Sequence, residues 1–144
     1  MSIVTEKYET SLKSYPTKFG KIELPAVNNG LSRKERAFLD LAMKVAQSSE
    51  LDQRHGAVVV KAGKPVSLGV NKWRNRGLQM DKFENILTTH AEADALSRAG
   101  NVKGAVLYIA RAGRNNEPLF SRPCRHCMAA IKAAGIKRII YTTN

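Results

Sequence analysis

Two short clusters hold the residue types that bind metals and move protons: His90-Ala91-Glu92 and Pro123-Cys124-Arg125-His126-Cys127. One histidine and two cysteines make a tetrahedral donor set for zinc with one position open, the pattern of a catalytic rather than a structural site. Zinc bound in that way lowers the pKa of a water from 15.7 to about 7 and so supplies hydroxide at neutral pH. Glu92 lies two residues past His90, close to the metal but on a different azimuth of a helix. There it can take the water's proton and pass it to a leaving group. Each cluster has a plainer reading by itself: a Cys-x-x-Cys is also a redox pair, and a lone His-x-Glu is also a surface histidine. His126 is an alternative ligand, but its place inside the Cys-x-x-Cys turn points it away. The two clusters together, with 34 positions from His90 to Cys124, favour the metal.

Both clusters must be presented by helix starts. The spacing predicts a helix from about Thr89 to Ala99, stopped by Gly100, and another from Cys124 to Ala134, stopped by Gly135. Unpaired N–H groups and the positive dipole end at such starts lower a cysteine's pKa toward the thiolate. Pro123 stands just before the first cysteine, where a missing backbone donor costs the helix nothing. An earlier helix begins at the capping box Ser32-Arg33-Lys34-Glu35 and ends near Ser48 or Ser49, with Phe38, Leu41, Ala42 and Val45 on its apolar face. The β-branched run over 56–62, the turn Gly63-Lys64-Pro65 and the run over 66–70 form a hairpin. A polar, basic loop follows over 71–85. Buried strands are predicted over 104–110 and 136–142, separated by a polar stretch over 111–123. Residues 1–30, with Pro16, Gly20, Pro25 and Gly30, read as an arm with a short strand over 21–24. No internal repeat or low-complexity segment is visible. The order α-β-β-α-β-α-β, with strands and helices alternating late, predicts a three-layer α/β fold with parallel members in its sheet.

Length and composition set the outer bounds. A chain of 144 residues, 43% hydrophobic, fits one domain with an ordinary core. No apolar run approaches the roughly 20 residues of a membrane helix. The first residues lack the basic-then-apolar layout of a signal peptide, so a cytoplasmic location is expected. Two cysteines three positions apart staple nothing as a disulfide, which points to a reducing compartment. The net charge of +12 is concentrated late: residues 101–144 carry eight basic residues against one acidic, and residues 1–100 carry 16 against 11. That balance favours phosphate-bearing partners, with a merely soluble basic surface as the plain alternative.

His-x-Glu followed by Pro-Cys-x-x-Cys resembles the signature of zinc nucleobase deaminases. Over roughly residues 32–144 the chain is similar to the cytidine and deoxycytidylate deaminase superfamily. The resemblance divides it into an N-terminal arm, 1–30, and a CMP/dCMP-type deaminase domain, 31–144. It implies a three-layer α-β-α fold with a mixed four- to five-stranded sheet and helices on both faces. It implies zinc on His90, Cys124 and Cys127, with Glu92 as the proton shuttle. Arg54-His55-Gly56-Ala57-Val58-Val59-Val60 resembles the family's first strand and Gly69-Val70-Asn71 the end of its second. By the same likeness Asn71 contacts the sugar of a bound nucleotide and the N–H of Ala91 lies near the base. Beside Asn71, Lys72 and Arg74 are candidates for holding phosphate. Trp73 either stacks a neighbouring base, worth about 1–3 kcal/mol in such sites, or packs against its own loop. His55 is read as structural. Relatives commonly carry a further helix and a fifth strand where this chain stops. An open sheet edge there predicts pairing with a second chain or cover from the N-terminal arm, and the family implies a homo-oligomer. No further cysteine is present for a second zinc.

For function the favoured expectation is a zinc-dependent hydrolase converting a cytosine nucleotide (dCMP or CMP) to the uracil nucleotide plus ammonia. Leu107-Tyr108-Ile109 and residues 134–141 resemble the deoxycytidylate branch. The runner-up acts on cytosine or adenine within single-stranded DNA or RNA, where the charge of +12 would have a direct use. Guanine and other amino-heterocycle deaminases share the metal motif. A third reading, a non-catalytic zinc-bound nucleic-acid-binding module, has no need of Glu92.

Overall fold

A computed structural model of the chain describes residues 2–7 (backbone only), 31–73 and 88–143. Along the chain run β1 (Ser2–Lys7), α1 (Arg33–Ala46), β2 (Arg54–Lys61), β3 (Lys64–Val70), β4 (Lys72–Trp73), β5 (Thr88–Thr89), α2 (Ala91–Ala99), β6 (Val106–Ala112), β7 (Pro118–Leu119), α3 (Arg125–Ala133) and β8 (Arg138–Thr143). The strand expected over 21–24, Arg74 and most of the loop over 71–85 lie outside the described residues.

The start of α1 follows from its capping box. Ser32 Oγ accepts from the Glu35 N–H at 3.1 Å, and Glu35 Oε1 accepts from the Ser32 N–H at 2.9 Å. The same Glu35 side chain pairs with Arg138 of β8, tying the helix to the sheet it covers. α1 ends at Ala46, two residues earlier than expected, because Ser48 turns its hydroxyl back onto the Val45 carbonyl and ends the ladder.

The main sheet has the order β1-β8-β6-β2-β3, with β7 paired to β6. β6 and β8 are parallel, and the other pairs are antiparallel, so the sheet is mixed as expected. Alternation along the strands sends two apolar sets to opposite faces. Val58, Val60, Tyr108, Ala110 and Ile140 pack with Leu39 and Ala42 of α1. Ala57, Val59, Leu107, Ile109, Ile139 and Tyr141 pack with Ala91 and Ala95 of α2 and with Cys127, Met128 and Ile131 of α3. The result is the three-layer α/β/α arrangement. β8 is not left as an open edge: β1, from the N-terminal arm, pairs with it antiparallel from Ser2 opposite Thr143 to Lys7 opposite Arg138. Among the described residues no helix is long and apolar enough to cross a membrane.

Two glycines let helices lie directly on strands. A Cβ on Gly56 would meet the Ala42 carbonyl oxygen of α1 at 2.4 Å, and one on Gly69 would meet the Ala91 carbonyl oxygen of α2 at 2.3 Å. Both contacts are to backbone, which cannot swing aside. Gly69→Ala is therefore expected to push α2 off the sheet and destabilise the protein by about 1–3 kcal/mol, read as a lower midpoint in urea. Because α2 carries His90 at its cap, zinc affinity should fall in the same variant.

Candidate metal centre

His90 is the N-cap residue of α2 and Cys124 the N-cap residue of α3. Each stands in extended backbone just before its helix, which turns its side chain toward the first turn. In α3 this gives a sulfur cap: Cys124 Sγ accepts from the Cys127 N–H at 3.5 Å. No side chain caps α2, so the N–H groups of its first turn, Ala91's included, keep no side-chain partner of that kind.

β4 and β5 bring the two halves of the site together. Their short ladder pairs Lys72 with Thr89, and so sets Asn71, one residue before β4, beside His90, one residue after β5. α2 and α3 lie side by side on the same sheet face and bring the cysteines to the histidine. His90 Nδ1 lies 3.3 Å from Cys127 Sγ and 3.7 Å from Cys124 Sγ, and all three donor atoms fall within 4.8 Å of one another. With Zn–N near 2.0 Å and Zn–S near 2.3 Å, tetrahedral geometry places nitrogen and sulfur about 3.5 Å apart. The donor set fits zinc in both chemistry and spacing. His126 is outside it: its side chain is exposed and borders a separate cavity between α2 and α3. Cys127 is buried, and burial, with the Glu92 carboxylate and Cys124 beside it, pushes its thiol well above the usual range. Zinc loading must therefore expel a proton, and affinity rises with pH.

A cavity of about 300 Å³ opens beside the donors, lined by Leu51, Gln53, His55, Asn71, Thr88, His90, Ala91, Glu92, Ser121, Arg122 and Cys124. Glu92 is 5% exposed, and desolvation raises its carboxyl above the ordinary range, as suits a group that must both take and return a proton. Asn71 is buried in the same wall. Its Oδ1 accepts from the His55 N–H at 2.9 Å and its Nδ2 donates to the Gln53 carbonyl at 2.6 Å, so one N–H and one lone pair remain for a ligand.

The other residues expected beside Asn71 are placed differently. Lys72 is not brought to the cavity wall: its Nζ lies 3.0 Å from Asp94 Oδ1. Asp94 is buried on α2 and also receives Arg98 Nη2 and the Val70 N–H, each at 3.1 Å, so it holds its lysine firmly. Trp73 is 60% exposed on β4. The cation in the described wall is Arg122 instead. Its position just before Pro123 was the available signal, whereas nothing local marks Asp94.

His55 is also in the wall, not merely in the core. Burial, reinforced by the positive charge of Arg111, lowers its pKa to about 4, so the ring is neutral at pH 7. The folded pKa lies below the unfolded value of 6.5, so the unfolded chain binds more protons between pH 4 and 6.5 and stability falls on acidification through that window. His55→Phe is expected to remove up to about 3 kcal/mol of this acid sensitivity, seen as a shallower loss of urea midpoint from pH 7 to pH 4.5 than in the unaltered protein.

An α/β/α fold thus places a His-Cys-Cys donor set that could hold a metal ion beside a buried carboxyl, in the wall of a cavity of about 300 Å³. Residues 32–143 match the family described as the cytidine and deoxycytidylate deaminase zinc-binding region, and the chain belongs to that family. It is 34% identical over 112 residues to the riboflavin biosynthesis protein RibD of Aquifex aeolicus, covering 73% of this chain but only 25% of that protein. This chain thus spans about a quarter of that curated relative's length. Among solved structures it is similar to the dCMP deaminase of the cyanophage S-TIM5. The form in complex with dCMP and dUMP gives a TM-score of 0.56 at 24% identity, covering 74% of this chain and 79% of the other. The apo form gives 0.51 at 24% identity, covering 70% and 75%.

Proposed function

We propose that the chain is a zinc-dependent deaminase converting a cytosine nucleotide, of the dCMP or CMP type, to the uracil nucleotide and ammonia. The observation that carries this reading is Glu92, buried beside the His90, Cys124 and Cys127 donors in one cavity wall. A cyanophage relative of the same fold binds dCMP and dUMP. Zinc held by the three donors would supply the acidity that makes a water nucleophilic at neutral pH. Glu92 takes one proton from that water as its oxygen adds to the amino-bearing ring carbon. The carboxyl gives that proton to the ring nitrogen, then takes the second proton from the added hydroxyl and passes it to the amine, which leaves as ammonia while the carbonyl forms. Asn71, Ala91 and Arg122 line the space for the rest of the nucleotide.

Within this proposal residues 31–144 form the deaminase domain and residues 1–30 an arm. Reduced ligand thiols fit a cytoplasmic setting. A homo-oligomer fits Val66 and Leu68, which are exposed on the edge strand β3.

A second reading, deamination within single-stranded DNA or RNA, is favoured by the exposed Trp73 and the charge of +12. A mass-spectrometric assay on two substrate pools, with Glu92→Ala as blank, separates them. One pool holds free cytosine and adenine nucleotides and the other a mixed-sequence single-stranded oligonucleotide. A gain of about one dalton, the exchange of an amine for an oxygen, is expected on free dCMP or CMP. A gain on the oligonucleotide alone would replace the first reading by the second.

A further inference from the structure

Glu92 and Asp94 are the buried carboxyl side chains among the described residues, and the proton path uses only the first. Asp94 lies one turn past His90, whose carbonyl accepts its N–H at 3.0 Å. It therefore belongs to the same stretch of α2 that presents His90 and Glu92. Its carboxylate reaches the chain on both sides of Asn71. Oδ2 accepts from the Val70 N–H at 3.1 Å, and Oδ1 lies 3.0 Å from Lys72 Nζ. Arg98, one turn further along α2, joins this bracket: its Nη2 donates to Asp94 Oδ2 at 3.1 Å and to the Leu68 carbonyl of β3.

Asn71 itself is tied elsewhere. Its N–H donates to the His55 carbonyl at 3.3 Å, its carbonyl accepts from Ser49 Oγ at 3.0 Å, and its carboxamide bonds to His55 and Gln53. None of those four bonds reaches α2. The short β4–β5 ladder and the Asp94 bracket are what join the Asn71 segment to the helix that carries Glu92. Charge-assisted bonds of this kind are short and strong, so they hold a spacing well. We infer that Asp94 is a positioning residue: it fixes Asn71 against the first turn of α2, so that one nucleotide meets the Asn71 carboxamide and the Glu92 carboxyl together across the cavity they both line. This rests on the cytosine-nucleotide reading given above.

Two variants loosen the bracket without cutting into the apolar core. Asp94→Asn keeps the shape and an acceptor for the Val70 N–H but loses the charge that holds Lys72 and Arg98. Lys72→Met removes one arm from a side chain that is half exposed. In zinc-loaded protein each is expected to raise KM for dCMP about tenfold, with a smaller fall in kcat. A merely structural loss would lower the active fraction, and so kcat, with KM unchanged, and that result overturns the proposal. A rise in Lys72→Met on dCMP but not on deoxycytidine, which lacks the phosphate, also overturns it by making the lysine a phosphate contact. In an Asn71→Ala background Asp94→Asn should raise KM no further, and a second full rise there would show that Asp94 does not act through Asn71. Proton–nitrogen NMR of the Asn71 carboxamide gives a readout free of turnover: its signals should move with dUMP, and Asp94→Asn should need about ten times more dUMP for the same movement. No movement in the unaltered protein, or an equal dUMP requirement in both, overturns the proposal. Absence of dCMP and CMP turnover, with the tenfold difference in dUMP present, would instead sink the deaminase reading and leave the positioning role standing.

Discussion

Glu92→Ala is expected to keep its zinc and its fold while turnover falls by about three to four orders of magnitude. The reasoning is that the chemistry needs a group to move protons between water, ring and amine, and such groups contribute about 10²–10⁴-fold each. Glu92 is the buried carboxyl in the cavity wall that also holds His90 and Cys124. Stability should move the opposite way. Burial raises the Glu92 pKa, so the folded state opposes its ionisation. The sign is that of a raised folded pKa in an acid: the carboxyl costs stability once pH rises above its unfolded value. Glu92→Gln is therefore expected to melt at a higher temperature than the unaltered metal-free protein at pH 7. Mass spectrometry of product, elemental analysis of zinc and thermal melting check the three parts. A variant retaining a tenth of the original activity would show that Glu92 is not the proton carrier.

Cys124→Ala should lose the metal, and with it a large part of the stability. The sulfur has two tasks: it completes the donor triad, and it caps α3 through the Cys127 N–H. Loss of a helix cap costs about 0.5–2 kcal/mol. Loss of a ligand bound a thousandfold above its dissociation constant removes about 4 kcal/mol more. Zinc content should fall from about one ion per chain to near zero, and the melting temperature should no longer respond to a chelator. Full zinc in the purified variant would break the ligand assignment. The milder Cys124→Ser, which keeps an oxygen for the cap, should recover part of the metal-free stability but not the zinc. That contrast separates the two tasks of one side chain.

The metal centre was unusually legible in the chain. Histidine at one helix start and two cysteines at another are local patterns, and both His90 and Cys124 prove to be N-cap residues. The capping box at Ser32 and the glycines that stop α2 and follow α3 were equally plain, since each acts within a few residues of itself. The phosphate assignment was not. Lys72 stands next to Asn71 in sequence, but an alternating strand sends neighbours to opposite faces, and Asp94 takes the lysine.

Residue order by itself thus determined the candidate donor set, the helix starts and the alternation that makes two apolar sheet faces, because each depends on contacts within a turn or a strand. Only the tertiary structure decided that β1 closes the edge of β8, that Asp94 holds Lys72, and that His55 and Arg122 face the same cavity as Glu92. Those depend on which distant segments meet, and pairing of that kind is set by sheet register and helix packing rather than by any local preference.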